Sequence, residues 1–364
     1  MTVLPPDERA ASEPNLSRRL LLQRLAAGAS LTAAAGGKAL AQNAAPPAAP
    51  AAPLPEADAT TAEFIRLFGA LSNWNRWGAD DQKGAANLIT PAKRKQALAT
   101  VREGESFSMA RDAEMKPAMD NPAPIVRKMK RVGKDQVPNK FKVGGTADTF
   151  FIDYHGYAHT HMDTLCHFLY DQKMYNGYSQ DNVTEEDGAL KNSIINFKHG
   201  IITRGVLMDM ARYKGVDYLE PGTAIRPEDL EGWEKTAGVK VESGDVMIVR
   251  TGRWARRDAL GPWPIAQGLA GLHMTCAEWM HQRDVAVIGG DDAQDVLPSG
   301  VTGIPQPIHT LCIVAMGMPI FDNLDLELIG REAERRKRWD FLVTASPAAV
   351  PGGTGSVLNP IATF

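Results

Sequence analysis

Residues 155 to 168 read His-Gly-Tyr-Ala-His-Thr-His-Met-Asp-Thr-Leu-Cys-His-Phe, a run holding four of the chain's eight histidines together with Asp163. No other stretch concentrates groups that bind a metal or move a proton at neutral pH. Neutral imidazole and ionised carboxylate are ligand types that zinc, manganese and ferrous iron accept, and His161 and Asp163 supply one of each. In an extended backbone His155, Tyr157, His159, His161 and Asp163 share one face, because strand side chains alternate with period two. His167 lies at i+4 from Asp163, the spacing that one helical turn returns to a common face. A lone histidine is usually a surface residue or a satisfied core group; this density points to a metal site. A pair so close in sequence needs a further ligand from a distant element, and His309 and Asp322 are the candidates.

The chain is 44% hydrophobic and 23% charged over 364 residues, enough to bury a full core as one large domain or two small ones. With a net charge of −3 and a pI near 6.3 it offers no basic field, so nucleic acid is not an expected partner. Cys166, Cys276 and Cys312 are too few and too dispersed for a disulfide framework or a zinc ribbon. Leu165 and Phe168 beside Cys166 predict a small buried apolar residue there rather than a nucleophile.

Residues 1–41 read as an export leader: Ser17-Arg18-Arg19-Leu20-Leu21-Leu22 resembles the twin-arginine pattern, an Ala-rich run follows, and Ala39-Leu40-Ala41 suits cleavage before Gln42. No run approaches the roughly 18 apolar residues of a membrane span, so a periplasmic or secreted location is expected. Residues 42–58 are an Ala/Pro linker that cannot build a core. The folded domain is expected over 59–364. It begins with a helix on which Phe64, Leu67, Phe68 and Leu71 mark one face.

Trp74 and Trp77 sit in a polar, turn-rich segment, where they either cap the core or line a pocket for a flat substrate. Thr90 and Pro91 open a helix as N-cap and N1. Residues 106–149 suggest hairpins and loops, and 149–154 a strand feeding directly into the histidine run, so that the metal site would sit at or just past its end. Residues 200–209 read as two short strands or one bulged at Gly205. Arg226-Pro227 opens a helix to Gly238, and 246–249 and 285–288 are buried strands separated by a helix over 274–283. The second of these runs into Gly289-Gly290-Asp291-Asp292, and strand ends of this kind are where α/β folds place their sites. Another helix spans about 325–338, with Arg335-Arg336-Lys337-Arg338 as a solvated face. Residues 341–344 read as a last strand, and 351–356 as a flexible glycine-rich loop.

Thr160-His161-Met162-Asp163-Thr164-Leu165-Cys166-His167-Phe168 resembles the T-H-x-D-x-x-x-H-F signature of the cyclase-family metal hydrolases, a group including kynurenine formamidase, isatin hydrolase and trans-dienelactone hydrolase. The tryptophan loop 74–81, Val249-Arg250-Thr251-Gly252, Val287 to Asp291, Pro307-Ile308-His309, Phe321 to Leu326 and Pro351 to Ser356 resemble the family in the same order. The resemblance covers nearly all of 64–364. It implies a mixed α/β fold of the swivelling β/β/α type, a homo-oligomer (dimer or tetramer), and a zinc or manganese centre that hydrolyses amide, lactam or lactone bonds of a small-molecule substrate. By resemblance His167 is the acid/base, His161 and Asp163 are the first ligands, and His309 is the distal one. Two positions depart from the pattern. Tyr157 stands where the family has its first histidine, with His159 or His155 available to replace it, and Asp322 stands for the distal glutamate. A phenol is a poor ligand, so a single ion is expected.

The corresponding mechanism has the ion lowering the pKa of water and polarising the carbonyl while His167 carries the proton, with Trp74 or Trp77 packed on the substrate. The set His161, Asp163 and His309 also matches the two-histidine, one-carboxylate pattern of non-haem iron oxygenases. An oxoglutarate-dependent enzyme would place an arginine after the distal histidine, and residues 310–322 contain none. A periplasmic metal- or ligand-binding protein without catalysis is the third reading.

Overall fold

The computed structural model describes residues 57–135 and 143–364; the leader expected at 1–41 and all but the last two residues of the expected linker lie outside them. These described residues all belong to one compact unit, Ala51–Phe364. Its centre is a nine-stranded mixed sheet in the order Ser106–Ser108, Ile361–Thr363, Asp340–Ala345, Ile201–Asp209, Val246–Arg250, Val287–Gly290, Ile320–Asp322, His161–Asp163, Gly355–Val357.

The four strands from Ile201 to Asp322 are mutually parallel. Parallel neighbours need crossovers, and helices covering both faces leave no solvated side; this is why Val206, Leu207, Met208, Val246, Met247 and Ile248 are all buried without alternation. The crossovers carry the helices Pro227–Ala237 and Cys276–Gln282, then the short Pro307–His309 continuing into a π-helix, Thr310–Met316. Their caps follow the sequence: Pro227 stands at N1 and Gly238 closes the helix in the left-handed region at φ 65°. Thr90 likewise caps Pro91–Leu98. Among the described residues no helix is long and apolar enough to cross a membrane.

Several local expectations change. The strand expected to lead into the histidine run is Ala147–Phe151, paired only with Val126–Arg131 in a separate hairpin that leaves Phe150 and Phe151 exposed. The chain then crosses 152–160 without strand structure, through Gly156 at φ 134°. Residues 201–209 form one continuous strand. Gly205 is there for close approach: a Cβ would stand 2.4 Å from Val343 Cγ2 and 2.9 Å from Phe341 Cε2. Residues 341–344 are not the last strand, since Gly355–Val357 and Ile361–Thr363 follow. The basic stretch is only partly solvated; the Arg336 side chain, 4% exposed, lies over the Phe364 ring at 4.7 Å and pairs with Glu103 at 2.8 Å.

Candidate metal centre

His161 and Asp163 lie on one short strand two residues apart, so both face the same way while Met162 between them packs into the core at 0% exposure. The antiparallel neighbour puts Asp322 directly opposite His161 in register. Cross-strand partners share a face, so this pairing brings residues 161 places apart into one site. His309 arrives from the helical segment that crosses over to the Asp322 strand.

Two donor groups result, with ligand atoms within 4.8 Å of one another in each: His155, His161 and Asp163, and Asp163, His309 and Asp322. Asp163 belongs to both, and its two oxygens divide the work. Oδ1 lies 2.9 Å from His155 Nδ1 and 3.3 Å from His161 Nε2, while Oδ2 lies 3.8 Å from His309 Nε2. Asp322 Oδ2 lies 3.2 Å from His309 Nε2 and 3.9 Å from His161 Nε2.

Outer partners fix which nitrogen each imidazole presents. His161 Nδ1 donates to the His159 carbonyl at 2.7 Å and His309 Nδ1 to Asp295 Oδ2 at 2.6 Å, leaving both Nε2 lone pairs inward. Asp295 is itself held by the Ile308 and His309 amides, and Gln294 Nε2 donates to Asp322 Oδ1 at 3.1 Å. His155 is turned the other way: its Nε2 meets Thr354 Oγ1 at 2.9 Å, so Nδ1 faces Asp163. The glycine-rich segment 351–356 is therefore an ordered support rather than a loose loop. Gly355, paired with Asp163, has no room for a side chain, since a Cβ would stand 2.9 Å from His155 Cε1 and 2.5 Å from the Met162 carbonyl.

These residues fit a divalent cation. His155 Nδ1 and Asp163 Oδ1 are both buried atoms without a hydrogen-bond partner among the described residues, although they lie 2.9 Å apart. Orphaned buried polar atoms are costly, and two that approach without bonding each other are what a common cation would satisfy. The electrostatics agree. Burial alone would depress His161, but Asp163 and Asp322 outweigh it and raise its pKa to about 9. His309 is likewise opposed by burial yet held well above its ordinary value by Asp322 and Asp295. Asp163, despite its burial, is held well below the carboxylate range by the imidazoles around it.

His167 closes the site on its open side. Its ring stacks on His155 with centroids 3.9 Å apart, its Nε2 is 3.6 Å from Asp163 Oδ2, and its side chain is 25% exposed. Burial pushes its pKa down to about 4 against the pull of Asp163, so the ring is neutral at pH 7 and able to accept a proton. Cys166 is buried and its thiol is pushed up to about 11 by that burial, so it is not a nucleophile.

The remaining expected residues fall elsewhere. Tyr157 and His159 join neither donor group. The loop 154–160 is not extended, so its side chains do not alternate toward the metal face, and His159 Nε2 lies instead 3.4 Å from the Ala123 carbonyl. The Tyr157 phenol is pushed up to about 12 by burial and by Asp292, Asp295 and Asp322, so it is a neutral hydroxyl at pH 7. Trp74 donates its indole N–H to the Val314 carbonyl at 2.7 Å and meets Phe68 edge-on, while Trp77 lies under Arg76 at 4.7 Å. Both pack against the core, and Trp74 is tied to the π-helix through that bond.

Two supports were not singled out in the sequence. Arg253, buried just past the Val246–Arg250 strand, binds the Tyr157 carbonyl and donates to Asn323 Oδ1 at 2.7 Å. Asn323, at φ 56°, donates to the carbonyls of Gly156 and His159 at 2.8 and 3.1 Å. Together they pin the backbone of the non-strand segment that delivers His155 and His161. Burial raises neighbouring Asp292 to about 7, with Arg253 opposing. The Gly-Asp pattern after 287–290 had marked the region, but not these partners.

Residues 106–294 match the model of the family described as Cyclase. A crystal structure of a novel cyclase superposes with a TM-score of 0.74 at 29% identity, covering 82% of this chain and 99% of that one. Isatin hydrolase A from Labrenzia aggregata, solved with benzyl benzoate, superposes with a TM-score of 0.50 at 18% identity, covering 73% of this chain and 94% of that one, a likeness of fold. No curated protein matches the sequence. The mixed α/β architecture with its curled mixed sheet agrees with the novel cyclase structure.

Proposed function

Because this chain belongs to the cyclase family, we propose that it is a metal-dependent hydrolase cleaving an amide, lactam or lactone bond of a small cyclic or aromatic substrate. One observation carries the reading: two donor groups share the carboxylate of Asp163 directly beside the neutral, partly exposed ring of His167. A buried structural ion would need no such open proton carrier. The donor set of imidazole and carboxylate without thiolate suits zinc or manganese. His155 replaces the imidazole lost at position 157, which supports two ions rather than the single one expected from the departure at Tyr157.

His155, His161, Asp163, His309 and Asp322 would hold a divalent cation, which when bound would supply carbonyl polarisation and a lowered pKa for water. His161 and His309 present lone pairs, each fixed in tautomer by an acceptor behind it, and His155 presents Nδ1 with Nε2 turned to Thr354. Asp163 and Asp322 offset the charge. His167, through Nε2, takes a proton from the attacking water and returns it to the leaving nitrogen or oxygen. Asn323 and Arg253 hold the backbone that keeps these groups in place.

Elemental analysis followed by a hydrolysis screen of the zinc- and manganese-replete protein on formamides, lactams and lactones tests this. Metal-dependent turnover of one class is the expected result. Full loading with no hydrolysis in any class would leave a binding protein, and oxygen consumption dependent on ferrous iron would make the centre an oxygenase. We further propose export through the 1–41 leader and assembly into a homo-oligomer; an exported form beginning at Gln42 and a dimer or tetramer by light scattering are the expected findings.

A further inference from the structure

A cavity of about 290 Å³ is walled by Ile265, Ala266, Leu297, Pro298 and Pro305, with Tyr157 on its remaining side. It is bound to the metal centre through the chain itself. Leu297 follows by two residues the Asp295 that orients His309, Tyr157 follows His155 by two, and Gln306, the other polar lining residue, precedes His309 by three. None of its lining residues carries a formal charge. Its volume is well above the roughly 150 Å³ that suffices to seat a benzene ring in an apolar cavity. Tyr157 lines this cavity, and its hydroxyl is a protonated donor at neutral pH by ordinary phenol chemistry. Its backbone is held by Arg253 and, one residue earlier, by Asn323. A tyrosine fixed at the backbone with its side chain on an apolar cavity has the form of a recognition group.

We infer that this cavity seats an uncharged ring of the substrate, and that Tyr157 is the specificity residue that hydrogen-bonds a neutral oxygen or nitrogen carried on that ring. The inference rests on the hydrolase reading above and narrows it. The tyrosine that departs from the family's histidine has left the ligand set and entered the substrate wall. An anionic substituent on the ring would enter a wall with no cation to receive it, and burying an unpaired charge is strongly disfavoured.

Three esters test it on the metal-replete protein: phenyl acetate, 4-acetoxybenzoate and methyl acetate, with phenol and 4-hydroxybenzoate as binding probes followed by saturation-transfer NMR. The wild type should turn over phenyl acetate with a kcat/KM at least about tenfold above 4-acetoxybenzoate, and bind phenol but not 4-hydroxybenzoate. Ala266 is exposed on the cavity rim, so Ala266→Trp fills the space without disturbing the core. It should abolish the phenol signal and lower kcat/KM for phenyl acetate about tenfold, with methyl acetate changed less than about twofold. Tyr157→Phe should weaken the binding of phenol about five- to tenfold with metal content unchanged, the loss of one hydrogen bond to a ring-borne oxygen. Loss of metal in Tyr157→Phe, or equal kcat/KM for the neutral and anionic esters, would overturn the inference. Hydrolysis that Ala266→Trp leaves intact on all three esters removes the cavity role and spares the hydrolase reading. Phenol binding blocked by Ala266→Trp, in a protein that hydrolyses nothing, keeps the cavity and removes the hydrolase reading.

Discussion

His155 and His167 lie face to face, ring centroids 3.9 Å apart and planes 3° from parallel, and both approach Asp163 from the side open to solvent. One ring presents Nδ1 to Asp163 Oδ1 and the other Nε2 to Oδ2. The proposed ligand and the proposed proton carrier are therefore stacked on a single carboxylate, twelve residues apart in the chain, and each limits how far the other can turn.

If His155 is a ligand, His155→Ala should lose metal while His159→Ala keeps it. Removing one of three protein donors should lower metal affinity by at least the roughly 10–100-fold seen for loss of an outer partner. Elemental analysis after dialysis against a weak chelator reads both variants, and equal retention in the two would remove His155 from the centre.

His167→Ala should retain full metal and lower kcat by roughly 10²–10⁴-fold, the span of general acid–base catalysis. Wild-type turnover in this variant would exclude it from proton transfer.

Metal uptake should release protons. With its pKa at about 9, His161 is protonated at pH 7 before metal binds, and His309 is raised as well; an imidazole must be neutral to ligate. The apparent affinity should therefore rise with pH toward about 9 and fall on acidification. Calorimetry in buffers of different ionisation enthalpy gives the sign, and a slope showing proton uptake would contradict it.

Gly355→Ala places a methyl group 2.9 Å from His155 Cε1 and 2.5 Å from the Met162 carbonyl. The displaced ring should cost about tenfold or more in metal affinity, and overpacking about 1–3 kcal/mol in stability. Metal titration and thermal unfolding measure the two; a variant with unchanged affinity would show that Gly355 does not hold His155 in place.

The local structure was largely readable from residue order. Helix caps at Thr90 and Pro227 and the buried strands around 201–209 and 246–250 follow from patterns that depend only on near neighbours. The strand after Cys276–Gln282 was displaced by two residues, to Val287–Gly290, because an apolar run does not mark its own ends. The segment 149–154 misled because β-propensity says that a strand forms, not which sheet it joins. It pairs with Val126–Arg131 and leaves the central sheet to His161–Asp163.

By itself the sequence determined the kinds of donor and two of their positions, since His161 and Asp163 need only a strand's alternation to share a face. Only the tertiary structure sets His155, rather than Tyr157 or His159, beside His161 and Asp163, since the three lie two residues apart and differ in where a non-repeating loop points them. That direction is set by Arg253, Asn323 and Thr354, residues 96 to 199 places away, whose hydrogen bonds to this loop no local spacing encodes.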